Sequence, residues 1–159
     1  MAQKITPFLW FNNNAEEAAN FYVSLFSSAK GGQASKVTHV TPGTNGIAMW
    51  VSFELAGQQY YALNGGPQFK FTEAISLFVD CEDQAEVDDL WSKLTTNGGQ
   101  ESMCGWLKDK YGLSWQIIPK ALSQLLADPD PIKAGKVMQA MLKMTKIDVK
   151  TLQQAYNGA

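Results

Sequence analysis

The sequence predicts an α+β fold of two paired β-α-β-β-β modules with a helical C-terminal extension. Two repeats and one change of pattern predict it. A strand-helix segment occurs twice, with Asn14 corresponding to Asp83, and a strand-turn-strand segment occurs twice, with Gly57 corresponding to Gly112. After Pro119 the pattern becomes helical. We expect one domain over 1–119, with modules at about 1–66 and 72–119, and the extension over 120–159.

Each module opens with a strand and a helix. ITPFLWF (5–11) is strand-like, and Asn14 stands three residues before Glu17, which is typical of a helix start. In the second module EAISLFVDC (73–81) precedes Asp83 and Glu86 in the same way. Residues at helical spacing then form an apolar stripe in each predicted helix: Ala15, Ala18, Ala19, Tyr22, Leu25 and Phe26 in the first, and Val87, Leu90, Trp91 and Leu94 in the second.

Each module closes with a hairpin. Residues 46–66 predict two strands around Gly57, and CGWLKDKYGLSWQIIP (104–119) predicts two around Gly112. This alignment places Tyr60 over Trp115 and Tyr61 over Gln116. SKVTHV (35–40) and a poorer candidate at 100–103 supply the remaining strands. Two such sheets can enclose a cleft between concave faces while the helices cover the outside.

The extension predicts three helices. KALSQLLAD (120–128) is short, Asp130 and Pro131 form a cap and first turn, and Asp148 opens the last helix. The stripe predicted for the middle helix is Ile132, Ala134, Val137, Met138, Met141 and Leu142. Its methionine-rich face, with Met144, is expected to pack on the body or on a twin subunit.

The composition excludes several classes of partner. The net charge is −2, and all 13 basic residues are lysines without a cluster, which argues against nucleic-acid binding. No apolar run approaches the ~20 residues of a membrane span. The N-terminus alternates like a strand and does not predict a signal peptide. Two cysteines, Cys81 and Cys104, provide no disulfide framework, so we expect a cytoplasmic protein.

The repeated module resembles the vicinal oxygen chelate superfamily, which includes glyoxalase I, extradiol dioxygenases and bleomycin-resistance proteins. The strings ITPFLWF, AEEAANFY, CGWLKDKYGLSWQI and the tail beginning DPDP are similar to the PhnB-like family, over nearly the whole chain. Members of that family often carry the label 3-demethylubiquinone 3-methyltransferase. The resemblance implies a methyltransferase, or a metal-dependent lyase, isomerase or dioxygenase, and it implies a homodimer because the superfamily often completes its clefts by pairing.

The resemblance also implies where metal ligands would lie, namely on the first and last strands of both modules. The corresponding residues here are Pro7, Leu9, Ala74, Ser76, Tyr61 and Gln116. Only Gln116 could coordinate a metal, and His39, the one histidine, lies elsewhere. A tight divalent site normally needs three or more His, Cys or carboxylate ligands, so we expect no metal.

The methyltransferase label lacks the usual cofactor motif. Adenosylmethionine is usually held by a glycine-rich strand-to-helix loop in a parallel sheet. The glycine pairs here, Gly31–Gly32, Gly65–Gly66 and Gly98–Gly99, do not open predicted helices and form no GxGxxG. We expect no bound cofactor.

The ligand-binding candidates are aromatic and amide residues on the predicted strands: Gln116, Asn64, Trp106, Cys104, Tyr61 and Trp10. An apolar pocket with a few fixed amides is a common way to orient a small molecule. Alternatively, the aromatics fill a core and the amides bond loop backbone. Cys104 is expected on one strand face with Trp106 and Lys108, as a passive cleft-lining thiol rather than a nucleophile.

Asp109 is expected at the surface of a turn, where it satisfies backbone groups or pairs with a lysine. The function predicted from the sequence is a small-molecule-binding protein with a metal-free aromatic cleft for a neutral or aromatic ligand. The enzyme classes named above stay open as alternatives.

Overall fold

The structure is a computed structural model and describes residues 3–27 and 33–158. Gly31 and Gly32, one of the glycine pairs, lie outside the described residues. The chain divides into two compact units, the first ending at Phe71 and the second beginning at Thr72. Each unit contains one four-stranded mixed sheet.

The first unit is one β-α-β-β-β module. Its elements are β1 (Phe8–Phe11), α1 (Ala15–Phe26), β2 (Lys36–Pro42), β3 (Ala48–Leu55) and β4 (Gln58–Asn64). The strands lie in the order β1-β4-β3-β2, with β1 parallel to β4 and the other pairs antiparallel. All six residues of the predicted α1 stripe are buried, so this helix is confirmed in position and in orientation.

The turn between β3 and β4 explains why glycine is needed at the predicted hairpin. Ala56 and Gly57 both have positive φ, 47° and 82°, which matches the paired left-handed residues of a tight two-residue hairpin turn. Glycine adopts this conformation without a steric penalty.

The second unit repeats the module. Its elements are β5 (Ser76–Cys81), α2 (Gln84–Thr95), β6 (Gln100–Glu101), β7 (Trp106–Lys108) and β8 (Ser114–Pro119). The order β5-β8-β7-β6, with β5 parallel to β8, reproduces the first sheet. The predicted α2 stripe is buried, and Asp83 accepts a hydrogen bond from the Glu86 backbone N–H at 2.9 Å, as the start signal predicts. The two-module α+β fold is therefore confirmed.

The C-terminal helices belong to the second unit. They are α3 (Lys120–Leu126), α4 (Pro131–Met141) and α5 (Val149–Asn157). Their apolar cluster includes Ile118 at the end of β8, and the Cys104 and Gly105 backbone N–H groups donate to Met144 and Thr145 carbonyls, each at 2.8 Å. The extension is thus joined to the β6–β7 turn by backbone hydrogen bonds as well as by packing.

The stripe predicted for α4 is only partly right. Val137 is fully buried, but Ile132 is 70% exposed and Met138 and Leu142 are also exposed. The helix contributes Val137 to the apolar cluster, with Ala140 and Met141 packed against it, and the other apolar residues of the predicted stripe lie outside this contact. Met141 and Met144 pack against the apolar cluster, as the sequence predicts for the methionine-rich face.

None of the helices within 3–27 and 33–158 combines the length and apolar character that crossing a membrane would need.

Candidate functional site

Each sheet has one face packed on its own helix and a second face turned away from it, called here the open face. In the first unit the helix-side residues include Leu9, Phe11 and Val51, all buried. Because side chains alternate along a strand, the residues between them lie on the open face. The strand registers place these residues in two cross-strand rows: Phe8, Tyr61, Ser52 and His39, and then Trp10, Leu63, Trp50 and Thr41.

Three rings of these rows form an aromatic cluster. Tyr61 stacks on Trp50 with 5.6 Å between centroids and an interplanar angle of 15°. Phe8 lies 5.3 Å from Tyr61 and 5.7 Å from Trp50. Phe8 and Trp50 keep 48% and 37% of their surface exposed within the structure, so this cluster is a surface patch rather than a core.

Trp10 lies at the end of the same face and is fixed by the glycine pair after β4. Its indole N–H donates to the Gly66 carbonyl at 2.9 Å, and its ring meets Phe69 edge-on at 5.0 Å. A Cβ added at Gly65 would lie 2.3 Å from the Trp10 ring, so glycine is required for this close approach.

The open face of the second unit is more polar. Its two cross-strand rows are Ser76, Ser114, Lys108 and Gln100, and then Phe78, Gln116 and Trp106. The Gln116 amide donates to the Ser76 hydroxyl at 2.9 Å, which fixes the amide orientation between the two parallel strands. Two serines, two glutamine amides, an indole and an ammonium group therefore share one face.

This face borders a cavity of about 140 Å³, lined by Glu73, Gln100, Glu101, Ser102, Trp106, Leu107, Lys108 and Ser114. Ser114 is 1% exposed, and its hydroxyl has no hydrogen-bond partner among the described residues. The Lys108 ammonium pairs with the Glu73 carboxylate. Lys108, through its hydrogen bond and its charge, holds the pKa of Glu73 below its ordinary value, so Glu73 is a carboxylate at neutral pH.

The predicted site residues fall into different environments. Tyr61 and Gln116 occupy equivalent open-face positions, and their neighbours Tyr60 and Trp115 are buried on the helix side, as the hairpin alignment predicts. Trp106 lines the cavity beside Gln116. The structure therefore brings Trp106 and Gln116 together in the second unit, and Tyr61 and Trp10 share the open face of the first.

The Asn64 side chain forms hydrogen bonds with backbone groups of its own unit. Its side-chain oxygen accepts the Ala15 backbone N–H at 2.8 Å, and its amide donates to the Ala48 carbonyl at 2.9 Å. Asn14, at the helix cap, makes no side-chain cap bond, so Asn64 satisfies this helix start from the neighbouring strand. Ligand contact by Asn64 stays a prediction.

Two strand-face expectations are wrong. Cys104 lies in the turn before β7 with φ of 59°, so it does not share a strand face with Trp106 and Lys108. In this turn the Cys104 and Gly105 N–H groups bond the C-terminal segment instead of a neighbouring strand. Leu9 is 5% exposed on the helix side, so Phe8 and Trp10 occupy the open-face positions of β1.

Asp109 is buried, although the sequence predicts a surface turn. It is 2% exposed and accepts hydrogen bonds from the Tyr111 and Leu113 backbone N–H groups at 2.9 and 3.1 Å. Its second oxygen accepts the Trp115 indole N–H at 2.9 Å. The turn-backbone role is therefore confirmed, and the indole explains the burial.

Comparison with known proteins gives a family match that covers most of the chain. The model of the 3-demethylubiquinone-9 3-methyltransferase family matches residues 3–118. The chain belongs to this family. The PhnB protein from Bacillus cereus is 36% identical, with a TM-score of 0.65 over 74% of this chain and 99% of that one.

A second solved structure supports the fold of this family member. Protein PA1353 from Pseudomonas aeruginosa is 19% identical, with a TM-score of 0.58 over 75% of this chain and 98% of its own. A glyoxalase/bleomycin resistance protein from Albidiferax ferrireducens T118 also matches, at 13% identity and a TM-score of 0.47 over 71% of this chain and 95% of that one. None of the curated proteins matches the chain.

The metal site that the sequence resemblance implies does not fit the described residues of this family member. Across the described ranges, 3–27 and 33–158, no three His, Cys, Asp or Glu side chains are grouped so that they could hold a metal ion. At the open-face strand positions the chain presents Phe8, Trp10, Ser76 and Gln116, and the Gln116 amide is bonded to Ser76. A neutral amide and a hydroxyl are weak donors for a divalent cation.

Of the eight residues that line the cavity, only Trp106 is among the ligand-binding residues predicted from the sequence. The missed residues include Ser114, Lys108 as a partner of Glu73, and Glu73 itself. Strand alternation carried a signal for Ser114, because it lies two residues before Gln116 and therefore shares its face. Nothing in the sequence indicates that this hydroxyl is buried without a partner. The Lys108–Glu73 ion pair joins β7 to a turn that lies about 35 residues earlier in the chain. Local sequence patterns do not predict ion pairs over such a separation.

Proposed function

We propose that this family member binds a small organic molecule in the cavity of its second unit and that binding needs no metal ion. The observation that carries the proposal is a cavity of about 140 Å³ whose wall places the Trp106 ring beside the Lys108–Glu73 ion pair. Ser114 also lines it, but its hydroxyl is buried, without a hydrogen-bond partner in the described chain, and is not itself open to the cavity.

The other groups around the cavity suit a binding site. Trp106 supplies a large rigid ring surface and Lys108 supplies a charge. Gln116, which Ser76 orients, lies opposite Trp106 on the neighbouring strand, next to the cavity lining rather than in it. A few fixed polar groups beside an aromatic wall are how small-molecule sites orient a ligand. Gln116 and Trp106 are therefore the sequence-predicted residues that the proposal uses first, and Tyr61, Trp10, Asn64 and Cys104 are secondary.

The test is extraction of a bound molecule. The full chain is purified without denaturation, unfolded in methanol, and the released small molecules are identified by mass spectrometry. We expect an organic molecule near one per chain, and its loss from Trp106→Ala but not from the matched Trp50→Ala in the first unit. Absence of any extractable molecule, together with no thermal stabilisation by a metabolite library, would overturn the proposal.

A methyltransferase is the second candidate, because the family model that matches residues 3–118 carries that description. The helices that follow β1 and β5 begin after Asn14 and Asp83 rather than after a glycine-rich loop, which favours the binding proposal. Calorimetric titration with adenosylmethionine separates the two. Binding of adenosylmethionine would favour the enzyme, and the absence of heat would leave the binding protein.

We also propose a cytoplasmic homodimer without a nucleic-acid partner. The exposed aromatic cluster of Phe8, Trp50 and Tyr61 supports association, since aromatic rings are enriched in the cores of protein interfaces. The scattered lysines and net charge of −2 support the absence of a nucleic-acid partner. Light scattering at micromolar concentration is expected to give twice the chain mass, and a monomer would contradict the dimer.

A further inference from the structure

Four asparagines of the chain are followed directly by glycine, at 45–46, 64–65, 97–98 and 157–158. This pair of residues has a reaction of its own, in which the glycine nitrogen attacks the asparagine Cγ, because glycine has no side chain to hinder the approach. The attack needs a backbone nitrogen without other hydrogen bonds and an asparagine side chain that can turn towards it. The surroundings of each pair therefore decide whether it reacts.

Two of the pairs occupy the same kind of turn. Residues 44–47 and 96–99, with the sequences TNGI and TNGG, each form a four-residue turn. In both turns the N–H of the fourth residue donates to the carbonyl of the threonine at 3.2 Å. The central asparagine and glycine have positive φ, 57° and 74° in the first turn and 53° and 106° in the second. Asn-Gly is a preferred pair for this geometry, so the turn itself accounts for the sequence at both places.

The reacting groups of these two pairs are accessible. Both asparagines, Asn45 and Asn97, are exposed. Within the described chain, their side chains and the N–H groups of the glycines that follow them make no hydrogen bond. The attacking nitrogen and the amide that it attacks are therefore both available, and the glycine can rotate between them without a steric penalty.

The pair at 64–65 is restrained by three hydrogen bonds. The Asn64 side-chain oxygen accepts the Ala15 backbone N–H at 2.8 Å, and its amide donates to the Ala48 carbonyl at 2.9 Å. The Gly65 N–H donates to the Phe11 carbonyl at 2.9 Å. All three bonds must open before the Gly65 nitrogen can reach the Asn64 Cγ.

The pair at 157–158 is restrained less. Asn157 is exposed at the end of α5, and the Gly158 N–H donates to the Ala155 carbonyl at 3.1 Å. Helix ends fray, so this single restraint opens more readily than the three around Asn64.

We propose that Asn45–Gly46 and Asn97–Gly98 are sites of self-modification, at which the folded chain converts asparagine to aspartate and isoaspartate without an enzyme. The glycine nitrogen forms a bond to the asparagine Cγ, the Cγ–Nδ2 bond breaks, and the side-chain nitrogen leaves as ammonia with the proton of the glycine nitrogen. Water then opens the cyclic imide. Its hydroxyl adds to one of the two carbonyl carbons, whose bond to the glycine nitrogen breaks, and its proton goes to that nitrogen. Opening at Cγ gives aspartate, and opening at the backbone carbonyl gives isoaspartate.

Conversion at 97–98 changes the chain next to the second-unit cavity. β6 begins at Gln100, two residues after Gly98, and Gln100 lines the cavity. Each event adds a carboxylate at the start of this strand, and the isoaspartate form also adds one atom to the backbone. The modification itself does not depend on the proposed binding function.

The experiment ages the folded full chain at pH 8 and follows all four pairs by peptide mapping with mass spectrometry, which separates aspartate from isoaspartate. We expect Asn45 and Asn97 to convert first. Asn157 should convert about tenfold more slowly and Asn64 at least about a hundredfold more slowly, because each hydrogen bond that must open slows the reaction. Ageing in ¹⁸O-labelled water should place one labelled oxygen in each converted residue.

Ageing in urea tests whether the fold sets this order. Unfolding removes the hydrogen bonds around Asn64 and Asn157, so all four pairs should then react at similar rates. A urea order equal to the order in the folded chain would contradict the proposal, because the neighbouring sequence would then decide the rates.

A double variant, Asn45→Gly with Asn97→Gly, is the matched control. Gly-Gly also suits a turn with two positive φ values, so both turns should be kept. On ion exchange the aged variant should remain one peak, while the parent splits into more acidic forms.

Three further results would overturn the proposal. Equal rates at Asn64 and Asn97 in the folded chain would mean that the three hydrogen bonds do not protect. Unchanged Asn45 and Asn97 in the folded chain, under conditions that convert them in urea, would mean that the turns block the attack. Acidic forms of the double variant appearing at the parent's rate would place the reaction elsewhere.

Discussion

Asp109 is the residue on which the hairpin of the second unit depends. One buried carboxylate accepts the Trp115 indole N–H and two backbone N–H groups of the turn. Hydrogen bonds to a charged group contribute about 1.5–3 kcal/mol each, and an unpaired buried donor costs the desolvation of that donor. The carboxylate thereby fixes Trp115 on the helix side of β8 and leaves Ser114 and Gln116 on the open face.

Asp109→Asn should therefore lower the free energy of unfolding by about 2–4 kcal/mol, because the neutral amide accepts more weakly and places its NH₂ group against other donors. Urea unfolding followed by circular dichroism measures the loss. The matched control is Asp89→Asn, which affects an exposed i,i+4 pair with Lys93 at 2.8 Å and should cost less than about 0.5 kcal/mol. Equal losses for the two variants would contradict this role.

The two cysteines differ in burial, which should make them differ in reactivity. Cys81 is fully buried at the end of β5, and burial, followed by the nearby Glu86 and Asp80 charges, raises its thiol pKa to about 12. Only about one molecule in ten thousand would be thiolate at pH 8, and the thiolate is the nucleophile. Cys104 is partly accessible in its turn.

Iodoacetamide at pH 8 should therefore modify one thiol in the folded protein and two in urea, as counted by mass spectrometry. The expected site in the folded chain is Cys104. In Cys104→Ser the folded protein should remain unlabelled until urea is added. Rapid labelling of that folded variant would mean that Cys81 is accessible and the burial is wrong.

Single residues also show where sequence reasoning ends. The role of Gln116 on an open face was predictable from the alternation of its hairpin. The hydrogen bond of Asn64 to a distant helix and the burial of the Ser114 hydroxyl without a partner were not predictable. Asn64 accepts a hydrogen bond from the Ala15 backbone N–H, which lies 49 residues earlier in the chain. No local sequence pattern indicates that partner.

At the scale of elements, the helices were the most predictable. The stripes of α1 and α2 are buried as predicted because each helix packs one wide face on a sheet. The edge of the second sheet was harder: β6 has two residues and β7 three. Such short strands show too few alternations to identify, and hydrogen bonds to the segment before α5 keep Cys104 out of β7.

The last helix offers a test of capping and its pH dependence. Asp148 caps α5 by accepting the Thr151 backbone N–H at 2.7 Å. The Thr151 hydroxyl first, and then this N–H, hold the Asp148 pKa below its ordinary value. A depressed folded-state pKa contributes stability above the unfolded value of about 3.9, and this contribution is lost as pH falls through the folded value.

Asp148→Ala should lower stability by about 1 kcal/mol at pH 7, or about 2–4 °C in the thermal midpoint. Asp148→Asn should nearly match the parent at pH 7, since asparagine caps equally well. Below the folded pKa the parent loses the charge on its cap, whereas the neutral asparagine cap does not titrate. The difference in stability between the two proteins should therefore shift in favour of Asp148→Asn. A difference that is constant from pH 7 to pH 2.5 would contradict the assigned cap.

At the scale of the whole molecule, the duplication was visible in the sequence because both modules keep the same strand-helix start and the same hairpin. The two sheets share one strand order. The packing of the C-terminal helices on the second module was harder to predict from the sequence. It depends on Ile118 and on hydrogen bonds between the β6–β7 turn and the chain before α5. The duplicated fold thus followed from repetition, while the detailed site followed from contacts between distant segments.

Whole-molecule stability also tests the absence of a metal site, because any ion bound only by the folded state stabilises it by mass action. At one hundred times its dissociation constant an ion contributes about 2.7 kcal/mol, which is at least about 5 °C for a chain of this length. The described donors do not form a set of three, so Ni²⁺, Zn²⁺, Fe²⁺, Mn²⁺ and a chelator should each change the thermal midpoint by less than about 1 °C.

A double variant shows that the assay can detect a metal. Ser76 and Gln116 are hydrogen-bonded neighbours on the open face of the second sheet, so Ser76→His with Gln116→Glu places two strong donors side by side. This variant should gain stability on addition of Zn²⁺, since imidazole and carboxylate both bind zinc. Stabilisation of the parent protein by any of the four ions, reversed by the chelator, would mean that its amides and hydroxyls hold a metal after all and would restore the metal-dependent enzyme classes.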